Sequence, residues 1–196
     1  MQLNHCFCLN QDSDDFLKWY VELLGPVLMG VKPAEILSFP QTNERHLQMF
    51  LKVKDLFSQT NKMLHVDIEN HGRCRKALFF NPDALEKTIS DPKNLRFLQG
   101  QGYPRSHDSE SHLIHRLSKM EGGNVPDEIG IFLGYPLKDV IGFMGHPALK
   151  LTKIDGWRIY GDATISDLKR QDILAARDRV KLLLLQCSPE EIVQSA

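Results

Sequence analysis

The residues best able to do chemistry gather in one stretch, 126–147. Here Glu128, Tyr135 and Asp139 stand among closely spaced apolar residues, with glycines at 130, 134, 142 and 145. A carboxylate at a helix start feels two opposed influences. Burial beside Ile129, Phe132 and Leu133 disfavours its charged form, the usual way a general acid or base is tuned, whereas the helix N-terminus favours that form. Glu128 and Asp139 are therefore the acid–base candidates of an enzyme, with Tyr135 and Asp162 beside them and Lys32 as an electrophile. The same residues also suit a binding module. Glu128 then caps its helix, Asp139 bonds a neighbouring amide, and Tyr135 and Trp157 line a pocket or an interface. In this preferred reading Lys32, Gly130, Gly134, Tyr135, Trp157 and Asp162 are the ligand-binding candidates. A glycine-rich apolar hairpin beside aromatics forms a concave site for a flat ligand such as a flavin or porphyrin, or a surface for a partner protein. No particular cofactor is specified.

A third reading is a metal or redox accessory protein, and it rests on scattered thiols and imidazoles. His5, Cys6 and Cys8 lie close together, but zinc sites want wider spacing and a second ligand pair. His65, Asp67, Glu69 and Cys74 fall on the outward faces of two adjacent strands, a pattern that an exposed polar sheet face explains equally well. His112 and His115 share one helix face without a third ligand. No metal site is assigned. A phosphate loop, a nucleophile elbow, a zinc-protease helix and paired CxxC motifs are all missing from the sequence.

The elements that must position these groups follow from periodicity. Pro126-Asp127-Glu128 opens a short helix, Gly134-Tyr135-Pro136 breaks it, and a second runs from Leu137 to Met144, so the stretch is a buried helical hairpin. Gly130 and Gly142 predict a close approach by another helix or an aromatic ring. Upstream, a helix from Asp14 to Leu24 ends at Gly25-Pro26, and a short strand covers Ala34 to Phe39. Lys32 is expected to pack its stem and extend its ammonium to water. A helix then runs from Asn43 to about Asn61. Met63–Glu69 and Arg73–Phe80 form a hairpin with Leu64, Val66 and Ile68 inward and the basic cluster at residues 73–76 on a solvated edge. Helices follow at 84–90, 93–99 and 109–119. Downstream, Leu149–Ile154 and Gly156–Tyr160 form a second hairpin, and a helix from about Ser166 to Leu185, its leucine run packed, precedes a turn capped by Ser188.

The 196 residues suffice for one sizeable core. The fold class expected is α+β, with residues 14–196 as a single domain in which a small, mostly antiparallel sheet of hairpins packs against several helices. Residues 1–13 are a poorly ordered arm or an edge strand. The 24 basic and 25 acidic residues leave a net charge of −1, which argues against a nucleic-acid surface. Neither a signal peptide nor an uninterrupted apolar run of membrane length is present, so no membrane partner and a cytoplasmic location are expected, with the four cysteines reduced.

EIGIFLGYPLKDVIGF (128–143) resembles the signature PHEIGxFLGYPxxDVxGF of the family Domain of Unknown Function 3793, small bacterial proteins found mainly in anaerobes. PVLMGVKPA (26–34) is similar to its CAPTLAGxKPA segment, Gly102-Tyr103-Pro104 to an internal GYP, and WRIYGD (157–162) to its WxxYG element. The resemblance covers most of the chain but implies no reaction, because the family is one of unknown function. This chain departs from the pattern where Leu24 replaces a cysteine and Asp127 a histidine.

Overall fold

A computed structural model describes residues 13–40, 44–68, 74–104 and 125–196. The helix expected at 109–119, His112 and His115, the N-terminal thiols and Glu69 lie outside these residues. The described chain is an α+β fold. Strands β1 (Ala34–Pro40), β2 (Leu64–Ile68) and β3 (Cys74–Phe80) form one antiparallel sheet in the order β1-β3-β2. Leu78 of β3 sits opposite Ile36 and Val66, and Phe79 opposite Glu35 and His65.

Because side chains alternate along a strand, β3 feeds two cores. Ala77 and Phe79, with Leu37 and Phe39, meet α1 (Ser13–Leu28) and α2 (Glu44–Phe57). Leu78, Ile36 and Ile68 face the other way, toward α3 (Pro82–Ile89), α4 (Pro92–Gly100) and α5 (Ile129–Phe132). Asn81 caps α3, Asp91 caps α4, and each is followed by proline in the first turn. The remaining elements are α6 (Leu137–Phe143), the hairpin of β4 (Leu151–Asp155) and β5 (Trp157–Tyr160), α7 (Thr164–Leu183) and α8 (Pro189–Ser195). Ser188 and Glu191 form a capping box on α8.

Four expectations are corrected. The first helix runs through Gly25-Pro26 to Leu28. A proline inside a helix costs roughly 3 kcal/mol, yet continuing the helix buries Val27 and Leu28 completely or nearly so, and seats Gly25 against Val180 of α7, where a Cβ would lie 2.7 Å from Cγ2. The strand bearing residues 74–76 is the centre of the sheet, not its edge. The two faces of β2 are not divided as expected: Leu64 is exposed and Val66 half-buried, while on the other face Asp67 is exposed, pairing with Lys54 of α2 at 2.8 Å, and His65 is half-buried. Finally, the leucine run ending α7 is largely in water. Leu184, four residues after the buried Val180, packs on the core, and Leu182, Leu183 and Leu185 project from the other sides of the helix.

Candidate functional site

The site is built on the α5–α6 hairpin. Leu133 and Gly134 close α5, and Tyr135 turns the chain back with its N–H donating to the Gly130 carbonyl at 2.8 Å. Gly134 has φ +79°, a conformation that favours glycine, and its missing side chain leaves room for Pro33, whose Cδ would lie 2.5 Å from a Cβ. Gly130 takes Val140 and the Tyr135 ring at 2.8 and 3.2 Å from the same imaginary atom, and Gly142 takes the Tyr160 ring at 2.4 Å. These are the helix and ring contacts expected from the glycines. The two short helices and β5 can thus approach backbone to side chain.

Asp139 locks that arrangement. It is 2 % exposed, and each of its oxygens accepts two hydrogen bonds. Oδ1 receives the Lys138 ammonium at 2.6 Å and the Tyr160 amide at 2.9 Å; Oδ2 receives the Trp157 indole N–H at 2.8 Å and the Ser166 hydroxyl at 2.7 Å. Four donors from α6, β5 and α7 satisfy a charge that would be costly if buried alone. The expected bond to a neighbouring amide is present, as one of the four.

Above this carboxylate, Trp157 stacks on Tyr135 with ring centroids 4.8 Å apart and planes 16° from parallel. Both rings border a pocket of about 330 Å³ whose wall also includes Gly130, Val140 and Phe143. Asp139 touches it with its charge already spent on four donors. Lys76 of the central strand, Asp127 and Arg158 supply the other charges of the lining, and the Arg158 guanidinium lies 5.5 Å from the Phe143 ring centroid.

Lys32 lies away from this lining. It is 7 % exposed and ion-paired with Glu35, three residues along, at 2.5 Å, so its ammonium does not reach water as expected. Its nitrogen is 5.7 Å from the Tyr135 ring centroid. Burial pulls the Lys32 pKa down, but Glu35 and Tyr135 outweigh it, and the net shift is upward. Burial pushes the Tyr135 phenol up against the opposing pull of Lys32, so it stays protonated near neutral pH. Lys169 of α7 is lowered by burial and by its cationic neighbours Lys32 and Lys87, and donates to the Val31 carbonyl at 2.9 Å.

The structure therefore gathers Gly130, Tyr135, Trp157 and Asp139 on one pocket. Gly134 is part of the hairpin turn and Lys32 supports Tyr135 from outside the lining. Asp162 is exposed and accepts the amide and hydroxyl of Thr164 at 2.9 and 2.7 Å at the start of α7, which holds its carboxyl below the usual range. Glu128 occupies the N-cap position of α5 without a side-chain cap bond. It is buried, and Oε1 accepts the Tyr103 hydroxyl at 3.1 Å, so the expected cap is replaced by a bond to the end of α4. Of the two departures from the family pattern, Leu24 is fully buried in the core and Asp127 is exposed at the pocket. Lys76, Phe143, Arg158 and Ser166 are not among the site candidates the sequence offers, and Lys76 enters it only as part of a solvated basic cluster. For Lys76 and Arg158 no local signal exists, since each reaches the site through strand pairing; Ser166 stood in plain view at the start of a long helix.

Among the described residues, no group of three or more His, Cys, Asp or Glu side chains is placed to hold a metal ion. No described helix is long and apolar enough to cross a membrane. No curated protein and no solved structure matches the chain. A family model does match, over residues 21–193, and that span takes in the hairpin, the Asp139 centre and every residue named in the pocket. The chain belongs to this family, whose description is "Protein of unknown function (DUF3793)".

Proposed function

We propose that the protein binds a small organic molecule in the pocket beside the 126–147 hairpin. The observation carrying this reading is the Tyr135–Trp157 stack standing on the border of a preformed, mainly apolar cavity of about 330 Å³. That volume is at the lower end of small-molecule sites, roughly 300–1,000 Å³. It suits a ligand of one or two rings rather than a tetrapyrrole or a whole flavin nucleotide. The site is rigid by construction, because both rings are tied to the Asp139 centre or the hairpin turn, and rigidity lowers the ordering cost of binding.

Acid–base catalysis draws less support from the same geometry. The four donors on Asp139 leave it little capacity to take a proton from a substrate, and Glu128 is turned toward Tyr103. Native mass spectrometry of the purified protein with a panel of one- and two-ring compounds tests the binding reading. A one-to-one adduct weakened by Phe143→Ala is expected; a panel that yields no adduct, or adducts indifferent to that change, would overturn it.

A further inference from the structure

The charges around the pocket narrow the ligand class, an inference that rests on the binding reading above. Four charged residues line the cavity: Lys76, Asp127, Asp139 and Arg158. Asp139 is electrostatically spent, since Lys138 sits 2.6 Å from Oδ1 and three further donors fill its acceptor positions. Among the described residues Lys76 and Arg158 have no carboxylate partner, and Asp127 has no cationic one. The site thus holds two uncommitted cations against one uncommitted anion.

The two cations differ in setting. Lys76 is half-buried in the central strand and has no counterion among the described residues, so its ammonium is placed to pair with a ligand anion. Arg158 is exposed, with its guanidinium held over Phe143, and a planar guanidinium suits a planar carboxylate. They come from different sheets and border one cavity. We infer that the natural ligand is an aromatic monocarboxylate of one or two rings, its ring against the Tyr135–Trp157 stack and Phe143, and its carboxylate between Lys76 and Arg158. Asp127 makes the balance suited to one negative charge rather than two.

Three probes share one ring system and differ in charge: 2-naphthoate, 2-naphthalenemethanol and 2-naphthylmethylamine. Calorimetric titration of the full chain should give the acid an affinity roughly tenfold above the alcohol, the size of one charge-assisted hydrogen bond, with the amine weakest. Lys76→Gln combined with Arg158→Gln should erase the difference between acid and alcohol, and added salt should shrink it. Should the double variant fail to fold, Arg158→Gln alone, at an exposed position, should reduce the same ratio. Equal binding of acid and alcohol, or tighter binding of the amine, would overturn the carboxylate assignment while leaving the pocket reading intact. Failure of all three probes to bind would overturn both.

Discussion

Trp157 donates its indole N–H to Asp139 Oδ2 over 2.8 Å, across the boundary between β5 and α6. The bond makes a residue of the pocket wall also a member of the buried polar centre. Site shape and fold stability are therefore coupled through one carboxylate.

Asp139→Ala should be among the most damaging single changes in the chain. It leaves the Ser166 hydroxyl, the Trp157 indole and the Tyr160 amide buried without their acceptor, and Lys138 without its counterion. Loss of one member of a buried charged pair costs roughly 3–5 kcal/mol, and chemical denaturation read by far-ultraviolet circular dichroism should show a loss of that order. Ser166→Ala removes one donor and should cost about 1–2 kcal/mol. A stability change below 1 kcal/mol for Asp139→Ala would contradict its role as the centre.

The glycines of the hairpin give a graded test. At Gly142 a Cβ would fall 2.4 Å from Tyr160 Cγ, and at Gly130 2.8 Å from Val140 Cγ2, whereas nothing lies within 4 Å at Gly100. Alanine at 142 or 130 should destabilise by about 1–3 kcal/mol through overpacking. At 100 it should be neutral or stabilising by a few tenths to about 1 kcal/mol, since it restricts the unfolded chain. Thermal denaturation of the three variants checks the order.

How far the site was legible in the sequence follows from how local its signals are. Both hairpin helices, the turn at Gly134 and the second β-hairpin came from proline, glycine and period alone, because those residues act on their own backbone. The Lys32–Glu35 pair is not legible although the two lie only three residues apart, because a turn and the start of a strand, not a helix, bring them together. The Glu128 cap failed for a different reason: Tyr103 competes for the carboxylate through a contact no period encodes. Helix α1 crossing Pro26 shows tertiary burial overriding a local breaker.

The Lys32–Glu35 pair predicts a non-additive cycle. Glu35→Gln leaves a buried ammonium uncompensated and should cost roughly 3–5 kcal/mol. Replacing both, Lys32→Met with Glu35→Leu, should cost much less, because two apolar side chains of similar volume need no counterion. Urea unfolding of the single and double variants measures the coupling; additive losses would contradict the pairing.

His65 should shape the acid side of the stability curve. Burial, helped by the Lys54 ammonium and partly offset by Asp67, holds its folded-state pKa below the ordinary value. The unfolded chain then takes up the proton first, so stability is unaffected above about pH 6.5 and declines as pH falls from there through the folded-state pKa. His65→Gln should flatten that part of the curve, measured by denaturant unfolding between pH 7.5 and the acid limit of folding.

The most direct test of the central claim is a two-dimensional ¹H–¹⁵N spectrum of the tryptophan side chains during titration with one- and two-ring aromatic compounds. The protein has two tryptophans. Trp157 borders the pocket, whereas Trp19 packs beside Tyr20 on α1. Saturable shifts of the Trp157 indole resonance, with Trp19 unmoved, are the predicted result. Titrations that leave Trp157 in place, or that move Trp19 instead, would contradict a ligand site beside the 126–147 hairpin.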